Sequence, residues 1–147
     1  MARRRAVKRG GKVVHRSGFE ARIRADLDKR KVKYEYESRT LHLDLMAAGG
    51  RLSCSACRSK SILRRVTYTP DFLLTRSDVV LEAKGKFDAR ARKIALAMKE
   101  QYPLEKYRLL LQRDNKLSKS SPTRYSDWCI KHGIEFAVGE TVPEAWV

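Results

Sequence analysis

Two apolar runs separated by a short polar turn constrain this chain more than any other feature. The stretch VTYTPDFLL-TRSD-VVLEAKGK, residues 66–86, reads as two strands of a β-hairpin joined by Thr75, Arg76, Ser77 and Asp78. Asp78 belongs to that turn, where aspartate is favoured for its local hydrogen bonding. Other acids sit close to the ends of the strands. Asp71 follows Pro70, and Glu82-Ala83-Lys84 follows Val79-Val80-Leu81. Side chains alternate across a strand, so Glu82 and Lys84 share one face and Ala83 points away. The hairpin lets Asp71 sit beside them.

Two carboxylates converging on one point repel each other, and hard oxygen donors of this kind suit Mg²⁺ or Mn²⁺. Phosphodiester hydrolysis needs such a set. A metal polarises the phosphate and lowers the pKa of a bound water, while a nearby lysine orients that water or stabilises developing charge. A Glu and a Lys two apart are also the ordinary pattern of a solvated strand face. The hairpin setting, the apolar strand ahead of the triplet and the charge of the chain favour the catalytic reading.

That charge is large. Lys and Arg number 33 against 17 Asp and Glu, for a formal net charge of +16 over 147 residues. A compact domain so charged calls for a polyanion, which points to nucleic acid. Residues 1–16 carry Arg3, Arg4, Arg5, Lys8, Arg9, Lys12 and Arg16 with no acid, and read as a flexible basic arm. A second group, Lys86, Arg90, Arg92 and Lys93, directly follows the acid cluster and is placed to grip a phosphate backbone. Such contacts position DNA without reading its sequence. Hydrophobic residues make up 42% of the chain, enough for a real core, but no run has the length of a membrane span. No secretory signal is visible at the N-terminus, and an odd count of three cysteines argues against a disulfide framework, so a reducing cytoplasm is the expected compartment.

Residues 17–147 read as a single α/β domain with a mixed central sheet flanked by helices. Ser17 starts a capping-box pattern with Glu20, and Phe19, Ile23 and Leu27 form an apolar stripe, which predicts a helix over 17–31. Glu20 has two readings: a capping residue only, or a third carboxylate facing the sheet and serving a second metal. VKYEYE and the alternating Leu41, Leu43 and Leu45 read as strands. Asp88 is the expected cap of a helix that ends before Pro103, KYRLLLQ is an apolar strand, and a helix capped by Thr123 runs to Gly133 before the strand IEFAV.

Residues 46–65 stand apart as a bridge or insertion. They contain a Gly pair, the basic residues Arg51, Arg58, Lys60, Arg64 and Arg65, and the CxxC of Cys54 and Cys57. One CxxC is half a zinc site. A twofold axis through this segment could pair two such halves into one Cys₄ site; free thiols and a redox pair are the other readings. Cys129, beside Trp128 in a predicted helix, reads as a buried apolar residue. His15, His42 and His132 show no ligand spacing, and His132 falls at a helix end.

Five segments, RSGFE at 16–20, YTPDF at 68–72, LEAKG at 81–85, SPTRYSDWCIKHGIEFA at 121–137 and PEAW at 143–146, resemble phage endonuclease I in the same order. That family comprises four-way (Holliday) junction resolvases of short-tailed phages. The resemblance runs from about Arg16 to Trp146. It implies a restriction-endonuclease-like core of the PD-(D/E)xK superfamily, and a homodimer that cuts branched DNA with Mg²⁺, leaving 5′-phosphates. By motif it implies Glu20, Asp71 and Glu82 as metal-binding acids, holding up to two ions per site, and Lys84 as the catalytic lysine. It also implies a domain swap through the segment after Leu45, with Glu20 of one chain completing the site of the other. This chain departs from the family pattern in its longer, more basic 46–65 and in lacking a basic tail before Val147.

Two other functions fit parts of the sequence. A basic architectural DNA-binding protein fits the charge but not the acid set. Another PD-(D/E)xK nuclease fits the acid set but not the ordered C-terminal motifs.

Overall fold

The computed structural model of the protein describes residues 18–46, 52–53, 60–61 and 63–147. The basic arm at 1–16, the cap at Ser17, Arg51, Arg58 and the cysteines Cys54 and Cys57 lie outside the described residues.

The first helix, α1 (Gly18–Lys29), buries Phe19, Ile23 and Leu27 as the stripe predicted. Glu20 is buried beside them, one turn before Ile23, at 7% exposure. The chain then forms β1 (Tyr34–Tyr36) and β2 (Leu41–Met46), followed by two short paired strands, β3 (Leu52–Ser53) and β4 (Lys60–Ser61). Next come β5 (Leu63–Tyr68), β6 (Phe72–Leu74) and β7 (Val79–Lys84). The remaining elements are α2 (Ala89–Gln101), β8 (Lys106–Leu111), α3 (Tyr125–His132), β9 (Glu135–Val138) and a closing 3₁₀ turn at Glu144–Trp146.

The main sheet has five strands in the order β1-β6-β7-β8-β9. The expected hairpin is β6–β7, with Phe72 opposite Leu81 and Leu74 opposite Val79 across the four-residue turn. Asp78 takes φ 56° in that turn, the left-handed conformation that aspartate tolerates. From β7 onward the sheet is parallel, with α2 carrying the chain from β7 to β8 and α3 from β8 to β9. This is the mixed α/β arrangement the element order predicted.

Strand β7 is buried from Val79 to Ala83 because both its faces are covered. On one side Val79, Leu81 and Ala83 pack with Phe19, Ile23 and Leu27 of α1. On the other, Val80 packs with Ala97 and Met98 of α2 and with Leu41, Leu43 and Tyr68. The C-terminal segment closes the α1 side. Val142 and Trp146 enter that core, and Arg30 donates to the Val142 carbonyl at 2.6 Å and pairs with Glu144.

Three local expectations are corrected. VTYTPDFLL is two strands, not one. β5 pairs with β2 in a separate ladder, and the chain breaks at Thr69-Pro70-Asp71 before β6 joins the main sheet. Pro70 has no N–H to give a ladder. The insertion also ends earlier than residue 65, because Arg64 and Arg65 lie in β5 opposite Leu45 and Asp44. Thr123 is not the cap of α3. Arg124 occupies that position, and its backbone N–H is taken by the Asp127 carboxylate at 2.8 Å. Asp114 reaches the same helix end from outside, accepting from both the N–H and the hydroxyl of Ser126. Gly133 closes α3 in the left-handed conformation, as expected, and Asp88 caps α2 through the Ala91 N–H at 2.9 Å. Cys129 is fully buried, as expected of an apolar residue, and burial pushes its thiol up to about 12.

Candidate active site

The acid residues meet at the C-terminal end of β7, where antiparallel pairing with β6 has stopped. Beyond the Phe72–Leu81 pair, the backbone N–H of Ala83 is not taken by a strand. It donates to Asp71 Oδ2 at 2.8 Å. Pro70 thus sets up the site twice. It ends the ladder, and it delivers the following carboxylate to the vacated N–H. The Asp71 carbonyl accepts from Glu37 N–H at 2.9 Å, which fixes the backbone on which that carboxylate is carried.

Glu82 is 3% exposed, and neither of its oxygens is left bare. Oε1 is ion-paired with Lys84 Nζ. Oε2 accepts from the hydroxyl of buried Tyr68 at 2.5 Å. The alternation argument therefore holds: Glu82 and Lys84 lie on one face and Asp71 lies beside them. Glu20 approaches from α1. Its Oε2 accepts from Tyr36 OH at 2.6 Å, and its charge acts on both Asp71 and Lys84. Its burial and this position favour the sheet-facing reading of Glu20 over capping alone.

The electrostatics follow from crowding. Burial and then the Glu82 charge push the Asp71 carboxyl up to about 8; Lys84 and the Ala83 N–H oppose this without cancelling it, and Glu20 adds to the rise. Burial works against the Lys84 ammonium, but Glu82, Asp71 and Glu20 outweigh it and hold its pKa above the ordinary lysine value. The lysine is charged at neutral pH. Burial, reinforced by Tyr107 and Glu82, raises Tyr68 well above the usual phenol range, so it stays a donor.

Among the described residues, no three His, Cys, Asp or Glu side chains form a ready-made metal cage. The donor chemistry still fits a hard divalent cation. Asp71, Glu82 and Glu20 offer carboxylate oxygens only, and of the two main causes that raise the Asp71 carboxyl, burial and then the Glu82 charge, a cation offsets the second directly. Mg²⁺ is ordinarily held by one or two carboxylates with waters completing its shell.

Around the site, Lys86, Arg90 and Lys93 are exposed, as a phosphate-gripping group requires. Arg92 differs from them. It is half-buried, and its guanidinium donates to the Phe87 carbonyl at 2.8 Å, where it braces the start of α2. Arg65 pairs with Asp44 on the β2–β5 ladder.

The sequence reading missed Tyr36 and Tyr68. Both look like ordinary strand aromatics, and residue type alone does not distinguish a ring that packs from a hydroxyl that grips a carboxylate. The one available signal was position: Tyr68 lies on the strand leading into Pro70-Asp71, so its hydroxyl had an acid nearby.

A family model described as phage endonuclease I matches residues 60–147, a span that holds Asp71, Glu82 and Lys84. The chain is 33% identical over 133 residues to Endonuclease I of Escherichia phage T7, covering 90% of this chain and 77% of the relative. It is 35% identical over 133 residues to Endodeoxyribonuclease 1 of Enterobacteria phage T3, covering 90% and 76%.

Proposed function

The chain belongs to the phage endonuclease I family, and from that premise we propose that it is an endodeoxyribonuclease that resolves four-way DNA junctions and other branched DNA by Mg²⁺-dependent hydrolysis. The observation that carries the proposal is the convergence of Asp71, Glu82 and Lys84 at the end of β7, with Glu20 within electrostatic reach. The site is of the PD-(D/E)xK kind, and the enzyme works in the cytoplasm of an infected bacterial host.

Asp71 and Glu82, with Glu20 for a second ion, would hold Mg²⁺ or Mn²⁺. When bound, the ion polarises the scissile phosphate and makes water a stronger nucleophile. The chain's own residues do the rest. Burial removes competing water from Glu82. The Asp71–Ala83 bond fixes one carboxylate to the rigid central strand. Lys84, charged and on the same face as Glu82, lies where it stabilises negative charge developing on the phosphate. Hydrolysis forms a bond from the water oxygen to phosphorus and breaks the P–O3′ bond, giving a 5′-phosphate and a free 3′-hydroxyl. Lys86, Arg90 and Lys93 hold the backbone on either side, together with the basic arm.

The working unit is a homodimer, because resolving a junction takes two paired cuts. We read it as domain-swapped through the segment after Leu45, so that the approach of Glu20 to Asp71 and Lys84, made within one chain here, is made in the dimer between Glu20 of each chain and the partner's Asp71, Glu82 and Lys84. Strands β3 and β4 pair on either side of residues 54–59, which contain Cys54 and Cys57. Two such CxxC pairs, one from each chain, would make a Cys₄ zinc site. Metal analysis would find about one zinc per dimer, and a zinc-free active dimer would rule that site out.

The test is cleavage of a synthetic four-way junction beside a linear duplex of matching sequence, with Mg²⁺ or EDTA, for the natural chain and Lys84→Ala. Paired cuts in the junction alone, lost with EDTA and with the variant, are the expected result. Tight junction binding without metal-dependent cutting would make the protein an architectural binder instead.

A further inference from the structure

The two oxygens of Glu82 are held by partners of very different firmness. Lys84 is carried on a flexible four-carbon stem and keeps 27% of its side chain exposed. Tyr68 is 6% exposed. Its ring packs with Leu41, Leu43, Val80 and Met98, and the partly buried Tyr107 packs against the same cluster. A cation can replace the ammonium at Oε1 by simple exchange of one positive charge for another. Releasing Oε2 requires the phenol to give up a 2.5 Å hydrogen bond between two buried groups.

We propose that Tyr68 restricts Glu82 to ligation through Oε1 alone, which makes it a specificity-determining residue that favours Mg²⁺ over Ca²⁺. The inference rests on the reading of Glu82 as a metal ligand given above. Its physical basis is coordination number. Mg²⁺ demands octahedral geometry, keeps several waters and is satisfied by one oxygen from each carboxylate; Ca²⁺ takes roughly six to eight oxygens and commonly claims both from one carboxylate. A glutamate with one oxygen locked costs Mg²⁺ nothing and denies Ca²⁺ a ligand. The same device appears on α1, where Tyr36 occupies Glu20 Oε2 at 2.6 Å.

The experiment is calorimetric titration of Mg²⁺ and of Ca²⁺, without DNA, into the natural chain and into Tyr68→Phe, Tyr68→Met and Tyr34→Phe. Melting curves in EDTA establish that each variant is folded. Tyr68→Phe should lower the Mg²⁺:Ca²⁺ affinity ratio by about tenfold, the equivalent of one hydrogen bond to a charged group. Tyr68→Met, which also removes the hydroxyl, should lower it in the same direction. Tyr34→Phe, whose hydroxyl serves Asp28 at the surface, should leave it unchanged. An unchanged ratio in folded Tyr68→Phe overturns the inference. If Tyr68→Phe does not fold, an unchanged ratio in folded Tyr68→Met overturns it. A natural chain that binds neither ion, or binds them equally well after Glu82→Gln, overturns the metal-ligand reading and this inference with it.

Discussion

Asp71 accepts the backbone N–H of Ala83 at 2.8 Å, so a side chain completes the sheet where the main chain of β6 has stopped. The same carboxyl is pushed up to about 8, chiefly by burial and then by Glu82. Its ordinary value is 3.8. The folded state therefore binds this proton more tightly than the unfolded chain does. The associated stability is fully present below about pH 4 and is lost as pH rises through about 8. In EDTA, the natural chain should lose stability relative to Asp71→Asn between pH 5 and pH 9. With about 1.4 kcal/mol for each tenfold change in proton affinity, the relative loss should exceed about 2 kcal/mol. Urea denaturation of both proteins at several pH values checks this. A stability difference that does not vary with pH would show that Asp71 does not titrate as its surroundings require.

Removing Lys84 should separate binding from chemistry. Lys84→Ala leaves the carboxylates in place but takes away the charge nearest Glu82. Divalent-ion binding should persist, while junction cleavage at saturating Mg²⁺ should fall by about 10²–10³, the usual effect of losing one electrostatic stabiliser. In EDTA the variant should also be less stable, because Glu82 is left buried without its counter-charge, and Mg²⁺ should restore most of that loss. Equal loss of ion binding and cleavage would make Lys84 a structural partner of Glu82 and nothing more.

The proposed domain swap is open to a complementation experiment. Mixing Glu20→Ala chains with Asp71→Ala chains and allowing exchange should restore nicking of one strand. In a swapped heterodimer one site carries both changes and the other carries neither. If each chain keeps its own Glu20, every site stays broken and the mixture remains as inactive as its components.

The basic residues after the site should divide into two kinds. Lys86→Ala, Arg90→Ala and Lys93→Ala should each weaken junction binding and flatten its salt dependence by about 0.9 in log–log slope for each phosphate that is no longer neutralised. Arg92→Ala should act mainly on thermal stability, because its guanidinium is spent on the Phe87 carbonyl. Binding isotherms across a salt series, paired with melting curves, distinguish the two. A slope change at Arg92 equal to that at the others would place it among the phosphate-binding residues.

Much of this architecture is legible in the sequence, and the reasons differ by element. The β6–β7 hairpin could be read because two apolar runs flank a turn of Thr75, Arg76, Ser77 and Asp78, and α1 because Phe19, Ile23 and Leu27 repeat at helical spacing. The chain break at Thr69-Pro70-Asp71 could not, because Thr69 and Tyr68 favour strand and only tertiary pairing decides that β5 joins β2 while β6 joins β7. The cap of α3 lies one residue beyond its expected place. Thr123 has the better capping side chain, whereas the helix is capped by Asp127 reaching back to Arg124 and by Asp114 from a distant loop. At the site, Glu82 and Lys84 followed from alternation along β7, and Asp71 from the hairpin that brings it beside them. The tyrosines did not, because a hydroxyl's partner depends on distances set by the whole fold.

The contacts of α1 are long-range ones. Its core partners include Phe72 and Leu81, and Arg30 fastens it to Val142 and Glu144, 112 and 114 residues further along the chain. The β6–β7 hairpin closes across four residues. Loop-closure entropy favours closing the hairpin before α1 docks against the C-terminal turn. Under the proposed swap, the groove that α1 fills takes the helix of an identical chain in place of its own. Refolding at rising protein concentration should therefore shift the product from closed monomers to exchanged pairs, with the partition decided by kinetics before either product is complete.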